Sequence, residues 1–175
     1  GSEVRTVKPG DHVITCLSAF CGHCEHCLTG HLSLCVSPET KRGQDDEPRL
    51  SAASGPMSQY LNLSSFAEQM LIHEHACVAI RKDMPFDRAA LIGCSVTTGV
   101  GAVVQTSSVR AGETVAVIGC GGVGLAAVNG AAIAGAGRII AIDMQDSKLA
   151  LAKAFGATDV INASEVDPVA AVIES

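Results

Sequence analysis

The sequence predicts an α/β protein in two parts: a β-rich first part that carries a dense cysteine cluster, then the front half of a doubly wound parallel sheet. Three observations predict it. Four cysteines crowd into residues 21–35. The run Gly119-Cys120-Gly121-Gly122-Val123-Gly124 separates an apolar, β-branched stretch from an Ala-rich one. From residue 113 onward, short apolar runs alternate with helical patterns, the mark of a parallel sheet with right-handed crossovers.

Taken in order, the first part extends to residue 85 and is strand-like. The turn Lys8-Pro9-Gly10-Asp11 leads into a strand His12-Val13-Ile14-Thr15. Residues 21–35 form a Cys/His loop. Residues 37–58 are polar, without period, and read as a long surface loop. Residues 66–80 have the pattern of two short strands, with His73-Glu74-His75 near the turn. In the second part, helices are expected over 87–92 and 97–106 and a strand over 113–118. The glycine turn comes next, followed by a helix over 123–134 that ends before Gly135 and Gly137. A strand over 138–142 ends at Asp143; a helix follows over 147–155, closed by Gly156. A strand over 159–162 and a helix over 166–174 complete the pattern.

Composition narrows the class. At 175 residues, 47% hydrophobic and 17% charged, the chain suits a globular α/β protein and not a disordered one. The net charge of −6 without a basic run argues against nucleic acid and anionic membrane as partners. No stretch reaches about 18 uninterrupted apolar residues, so no membrane span is expected. The first residues lack a basic stretch followed by an apolar one, which argues against a signal peptide and for the cytoplasm. Eight cysteines, half of them clustered, then read as a metal site before a disulfide framework.

Cys21-x2-Cys24-x2-Cys27-x7-Cys35 is the strongest chemical signal. Thiolates suit tetrahedral zinc, and four of them leave no open position, so the site would be structural. Two-residue gaps let a tight turn bring successive sulfurs to one metal, and the longer gap returns the fourth. A bacterial iron–sulfur motif would continue with a three-residue gap and Cys-Pro; here Val36 follows Cys35. His23, His26 and His31 lie in the loop, but four cysteines complete a site without them.

The Gly119–Gly124 run matches G-x-G-x-x-G in the required strand–turn–helix setting. Gly119 permits the tight turn, Gly121 leaves room for a pyrophosphate, and Gly124 lets the helix lie against the strand. Gly122 and Val123 complete the turn, and the helix N-terminus offers free N–H groups to phosphates. Asp143 stands nineteen residues after Gly124. It would accept hydrogen bonds from ribose hydroxyls and repel a 2′-phosphate, and no Arg adjoins it, so NAD is expected and not NADP.

The two modules in this order resemble the zinc-dependent medium-chain alcohol dehydrogenases. The likeness also rests on Lys8-Pro9-Gly10-Asp11-His12-Val13, on Gly93-Cys94-Ser95-Val96-Thr97-Thr98-Gly99 and on Phe155-Gly156-Ala157-Thr158. Within the family it is similar to classical and glutathione-dependent formaldehyde dehydrogenases. The resemblance implies a partial GroES-like catalytic domain over 1–95, with the structural zinc loop, and a partial Rossmann NAD-binding domain over 96–175. It implies that Cys94 ligates a catalytic zinc. Thr98 and Val123 would lie near the nicotinamide, Lys148 near the adenosine ribose, and Phe66 in the substrate pocket. Cys94 otherwise reads as a small buried hydrophobe.

The family's other catalytic ligands and proton relay would lie upstream of residue 1. Its last nucleotide-domain strands would lie beyond Ser175, so the chain alone is expected to be inactive. The activity implied is hydride transfer between an alcohol, or an aldehyde adduct, and NAD, in a homo-oligomer. The alternatives are a polyol dehydrogenase of the same superfamily and a non-enzymatic zinc-binding interaction module.

Overall fold

The computed structural model describes residues 1–40, 43 and 45–174, in two compact units, Gly1–Ala90 and Leu91–Ser175. In the first unit, strand β1 (His12–Thr15) follows the Lys8–Asp11 turn, where Gly10 takes a positive φ of 89°. Asp11 accepts the Lys8 N–H at 3.0 Å and fixes that turn. The loop that follows contains a single helical turn, α1 (Glu25–Leu28), and a 3-10 turn over Leu32–Leu34.

The polar stretch expected to be one long loop contains a hairpin, β2 (Leu50–Ala52) against β3 (Gly55–Met57). A strand needs only a partner ladder, and two residues suffice to turn between these two. Lys41, Arg42 and Gln44 of that stretch lie outside the described residues. Residues 66–80 give one strand, not the two expected. Only β4 (Cys77–Ile80) forms, antiparallel to β1, with His12 opposite Ile80 and Thr15 opposite Cys77. Residues 66–73 find no partner ladder among the described residues.

The helices expected over 87–92 and 97–106 are continuous. α2 (Phe86–Leu91) passes through a π-turn, Ile92–Val96, into α3 (Thr97–Gly101) and a second π-turn, Ala102–Thr106. The Thr97 hydroxyl donates to the Ile92 carbonyl at 2.5 Å. This i−5 contact accompanies the widened turn. The joined run of 21 residues is long and apolar enough to cross a bilayer, a length neither expected helix has alone. It is not an apolar rod free on all sides: a Cβ on Gly99 would fall 2.3 Å from the Val123 carbonyl. Small residues there let two backbones touch.

Strands β5 (Thr114–Ile118), β6 (Arg138–Asp143) and β7 (Asp159–Asn162) form a parallel sheet in that order, with Val115 beside Ile139 and Ala141 beside Val160. Helices α4 (Gly122–Ile133), α5 (Asp146–Ala154) and α6 (Pro168–Ile173) connect or follow the strands. The last begins later than expected because Asp167 accepts the Val169 N–H at 3.0 Å and Pro168 takes the first helical position. The core is made of Val103, Val117, Cys120, Val128, Ala131, Ile139, Ala141, Leu149 and Ala152. β6 is buried through its middle, as a central parallel strand must be.

Candidate functional site

The zinc loop of the first unit is held at its entrance by a histidine from a distant segment. Phe20, just before Cys21, offers its carbonyl to His75 Nδ1 at 2.6 Å and stacks on the same ring at 4.6 Å. The 3-10 turn Glu74–Ala76 presents His75, and His73 Nδ1 caps that turn by accepting the His75 N–H at 3.1 Å. Glu74 accepts the N–H groups of Arg5 and Thr6 and the Thr6 hydroxyl, all within 2.9 Å. Those donors, the Arg5 N–H foremost, hold its carboxyl down to about 2.

The four thiols converge. Cys24 Sγ lies 3.5 Å from Cys27 Sγ and 3.9 Å from Cys35 Sγ, and Cys21 Sγ lies 3.9 Å from Cys27 Sγ. All four fall within 4.8 Å of one another, and no cysteine of the chain is in a disulfide. Metal–sulfur bonds of about 2.3 Å give a tetrahedron with edges of about 3.8 Å, so the spacing fits zinc. The backbone favours thiolate at two positions. The Ser37 N–H holds Cys35 down to about 6, and the Cys27 N–H lowers Cys24. Burial pushes Cys27 up to about 11; its thiolate needs the cation.

The loop histidines are outside the four-thiol group, although His23, with Glu39, comes within 4.8 Å of Cys21 Sγ. His23 Nε2 lies 3.4 Å from the Glu39 carboxylate on the surface, and His31 Nδ1 pairs with the Thr29 hydroxyl at 3.2 Å. His26 donates no side-chain bond to a cluster sulfur among the described contacts; its carbonyl accepts the His31 N–H.

The glycine turn of the second unit has the geometry a dinucleotide requires. Gly119 adopts φ of +90° and donates its N–H to the Ile142 carbonyl at 2.8 Å, tying the turn to β6. A Cβ on Gly121 would meet open space, and one on Gly124 would fall 1.8 Å from the Gly119 carbonyl. Hence Gly121 leaves the turn uncovered for a ligand, and Gly124 lets α4 press on it. No side chain caps α4, so its first N–H groups are available to an anion. A Cβ on Gly122 would fall 3.6 Å from Ser95 Cβ, and Val123 is 45% exposed.

Asp143 ends β6 beside this turn. Its Oδ2 accepts the Cys120 N–H at 2.8 Å, and its Oδ1 accepts those of Met144 and Gln145 at 2.8 and 3.1 Å. Lys148 Nζ lies 3.8 Å from Oδ2. These donors, the Cys120 N–H first, lower the Asp143 carboxyl below its ordinary range, so it is an anion with lone pairs left for hydroxyls. The link to the Cys120 N–H has no sequence signal: the motif places an acid near the turn but not its backbone partner. Cys94 lies exposed in the π-turn Ile92–Val96, not buried, and Thr98 opens onto solvent from α3. Phe66 is fully exposed and lines a cavity of about 790 Å³ in the first unit with Tyr60, Met57, Met70 and Arg49.

The first unit thus holds four thiols spaced for one metal ion, and the second holds a glycine turn open to an anion. Two family models match the chain. Residues 1–82 match the alcohol dehydrogenase GroES-like domain and residues 122–175 the zinc-binding dehydrogenase domain. The chain belongs to the zinc-dependent medium-chain alcohol dehydrogenase family.

The S-(hydroxymethyl)glutathione dehydrogenase of Haemophilus influenzae is 44% identical over 171 residues, covering 95% of this chain and 45% of that protein. Among solved structures, an alcohol dehydrogenase zinc-binding domain protein from Burkholderia ambifaria superposes with a TM-score of 0.86 at 38% identity. The match covers 99% of this chain and 48% of that one. Benzyl alcohol dehydrogenase from Acinetobacter calcoaceticus gives 0.80 at 35% identity, covering 98% and 47%. The chain thus spans about half the length of the curated relatives it matches.

Proposed function

We propose that this chain belongs to a cytoplasmic, homo-oligomeric enzyme that transfers hydride between an alcohol or aldehyde adduct and NAD. The observation that carries the reading is the presence, in one chain, of four converging thiols and an unobstructed glycine turn. In this reading a GroES-like part runs to residue 95 and a Rossmann part begins at residue 96. A zinc at Cys94 supplies a Lewis acid and NAD a hydride acceptor. The chain's own residues bind and orient. Gly119 makes the turn, and Gly121, Gly122 and Gly124 present backbone N–H groups to the pyrophosphate. Asp143, steadied by three N–H groups and by Lys148, takes the ribose hydroxyls and rejects a 2′-phosphate. Val123 and Thr98 border the nicotinamide, and Phe66 forms a wall for the substrate.

The substrate class is an alcohol with an apolar or aromatic body, or a thiol adduct of formaldehyde. This is supported by the activities named for the relatives and by the Phe66 cavity, with its Met57, Tyr60 and Met70 lining. The test is metal analysis of the intact protein together with alcohol-dependent NADH absorbance. Two zincs per chain and alcohol-driven reduction of NAD support the reading. An iron–sulfur chromophore, or turnover indifferent to NAD, overturns it.

A further inference from the structure

Thr40 is a buried polar residue, 5% exposed, beside the thiol cluster. Its backbone N–H and its hydroxyl both address the Ser37 carbonyl, at 3.2 and 3.0 Å. The hydroxyl also lies 3.7 Å from Cys35 Sγ. A hydroxyl has one proton to give. A metal-bound thiolate has no proton and only accepts. The hydroxyl must then turn its proton to sulfur, or leave its oxygen lone pairs facing a buried anion. Turning orphans nothing, because the Ser37 carbonyl keeps the Thr40 N–H.

We infer that Thr40 is a positioning residue for the structural zinc, donating to the Cys35 thiolate once metal is bound. The inference rests on the reading of the four thiols as a zinc site. Cys35 joins the others across a seven-residue gap, whereas Cys21, Cys24 and Cys27 are fixed by tight turns. The Cys21 N–H already reaches Cys35 Sγ at 3.4 Å and the Ser37 N–H also addresses it; Thr40 adds a side-chain donor. Hydrogen bonds around a metal fix ligand orientation and tune affinity by about 10–100-fold.

The test uses the full chain with Thr40→Val, which removes the hydroxyl, and Thr40→Ser, which keeps it. With Co²⁺ in place of zinc, the sulfur-to-cobalt charge-transfer band reports electron density on the thiolates. Any other cobalt site is common to all variants and cancels in difference spectra. Thr40→Val should move the band to longer wavelength and lose zinc to a chromophoric chelator about 10–100-fold more readily. Thr40→Ser should restore both. Thr40→Ala carries the same expectation should the Val variant not fold. A hydroxyl-free variant with the parent's band and zinc retention overturns the inference, as does a Ser variant that behaves like Ala. A parent chain that binds neither metal overturns the zinc-site reading instead.

Discussion

Individual atoms decide what this chain tolerates. Gly99 and Gly101 are two residues apart on one helix, yet a Cβ meets the α4 backbone at the first and open space at the second. Gly99→Ala should therefore destabilise the second unit by about 1–3 kcal/mol through overpacking. Gly101→Ala should be neutral or stabilise it by up to about 1 kcal/mol through helix propensity. Urea denaturation of both variants measures the contrast, and equal midpoints would contradict the packing. Asp143 has two roles that substitution can separate. Asp143→Asn keeps an acceptor for the Cys120 N–H but loses the charge, so it should relax discrimination against NADP with the turn intact. Asp143→Ser should also free the turn, seen as faster exchange of the Cys120 amide and weaker binding of NAD. An unchanged cofactor preference in both variants would remove Asp143 as the selector.

At the level of elements, the zinc loop and the parallel sheet draw on different sources of stability. The loop is too polar to fold on a core of its own, so the metal must organise it. The sheet rests on Ile139, Ile140 and Ala141, all nearly inaccessible to solvent. Chelation should accordingly release the amides of residues 21–40 to rapid hydrogen exchange and leave those of β5, β6 and β7 protected. Simultaneous loss of both would show that the loop supports the sheet.

The attachment of residues 5–6 has its own pH signature. Glu74 is held down to about 2 by native donors. Its contribution is therefore complete above its unfolded value of about 4.3 and is lost as pH falls toward about 2. Exchange at the Arg5 and Thr6 amides, corrected for intrinsic rate, should rise in that window, and Glu74→Gln should raise it at neutral pH. A flat profile would show that the contact is not formed in solution.

On the scale of the whole molecule, the chain spans about half of the curated relatives it matches. Cys94 is the catalytic-metal ligand proposed within it. The purified 175-residue chain should bind zinc through its four clustered thiols and show no alcohol-dependent formation of NADH, as followed by absorbance. Turnover by this chain alone would mean that its residues assemble a reaction centre the family reading does not contain.

Spacing alone pointed to both candidate sites, since the chemistry proposed for them is local: sulfurs separated by two- and seven-residue gaps for a metal cage, and glycines at fixed intervals after a strand for a phosphate cradle. The parallel sense of β5, β6 and β7 was legible for a similar reason, because alternating apolar runs and helical patterns favour parallel pairing. Other features depend on contacts in space, near or far along the chain, which periodicity does not name. Residues 66–73 have strand-like composition but no ladder, residues 50–57 form a hairpin within a polar stretch, and two expected helices fuse through π-turns. Thr40 beside Cys35, His75 on the Phe20 carbonyl and Asp143 on the Cys120 N–H belong to this second group. Only tertiary structure decided them, because a hydrogen bond is specified by distance and direction in space and leaves no spacing for the sequence to show.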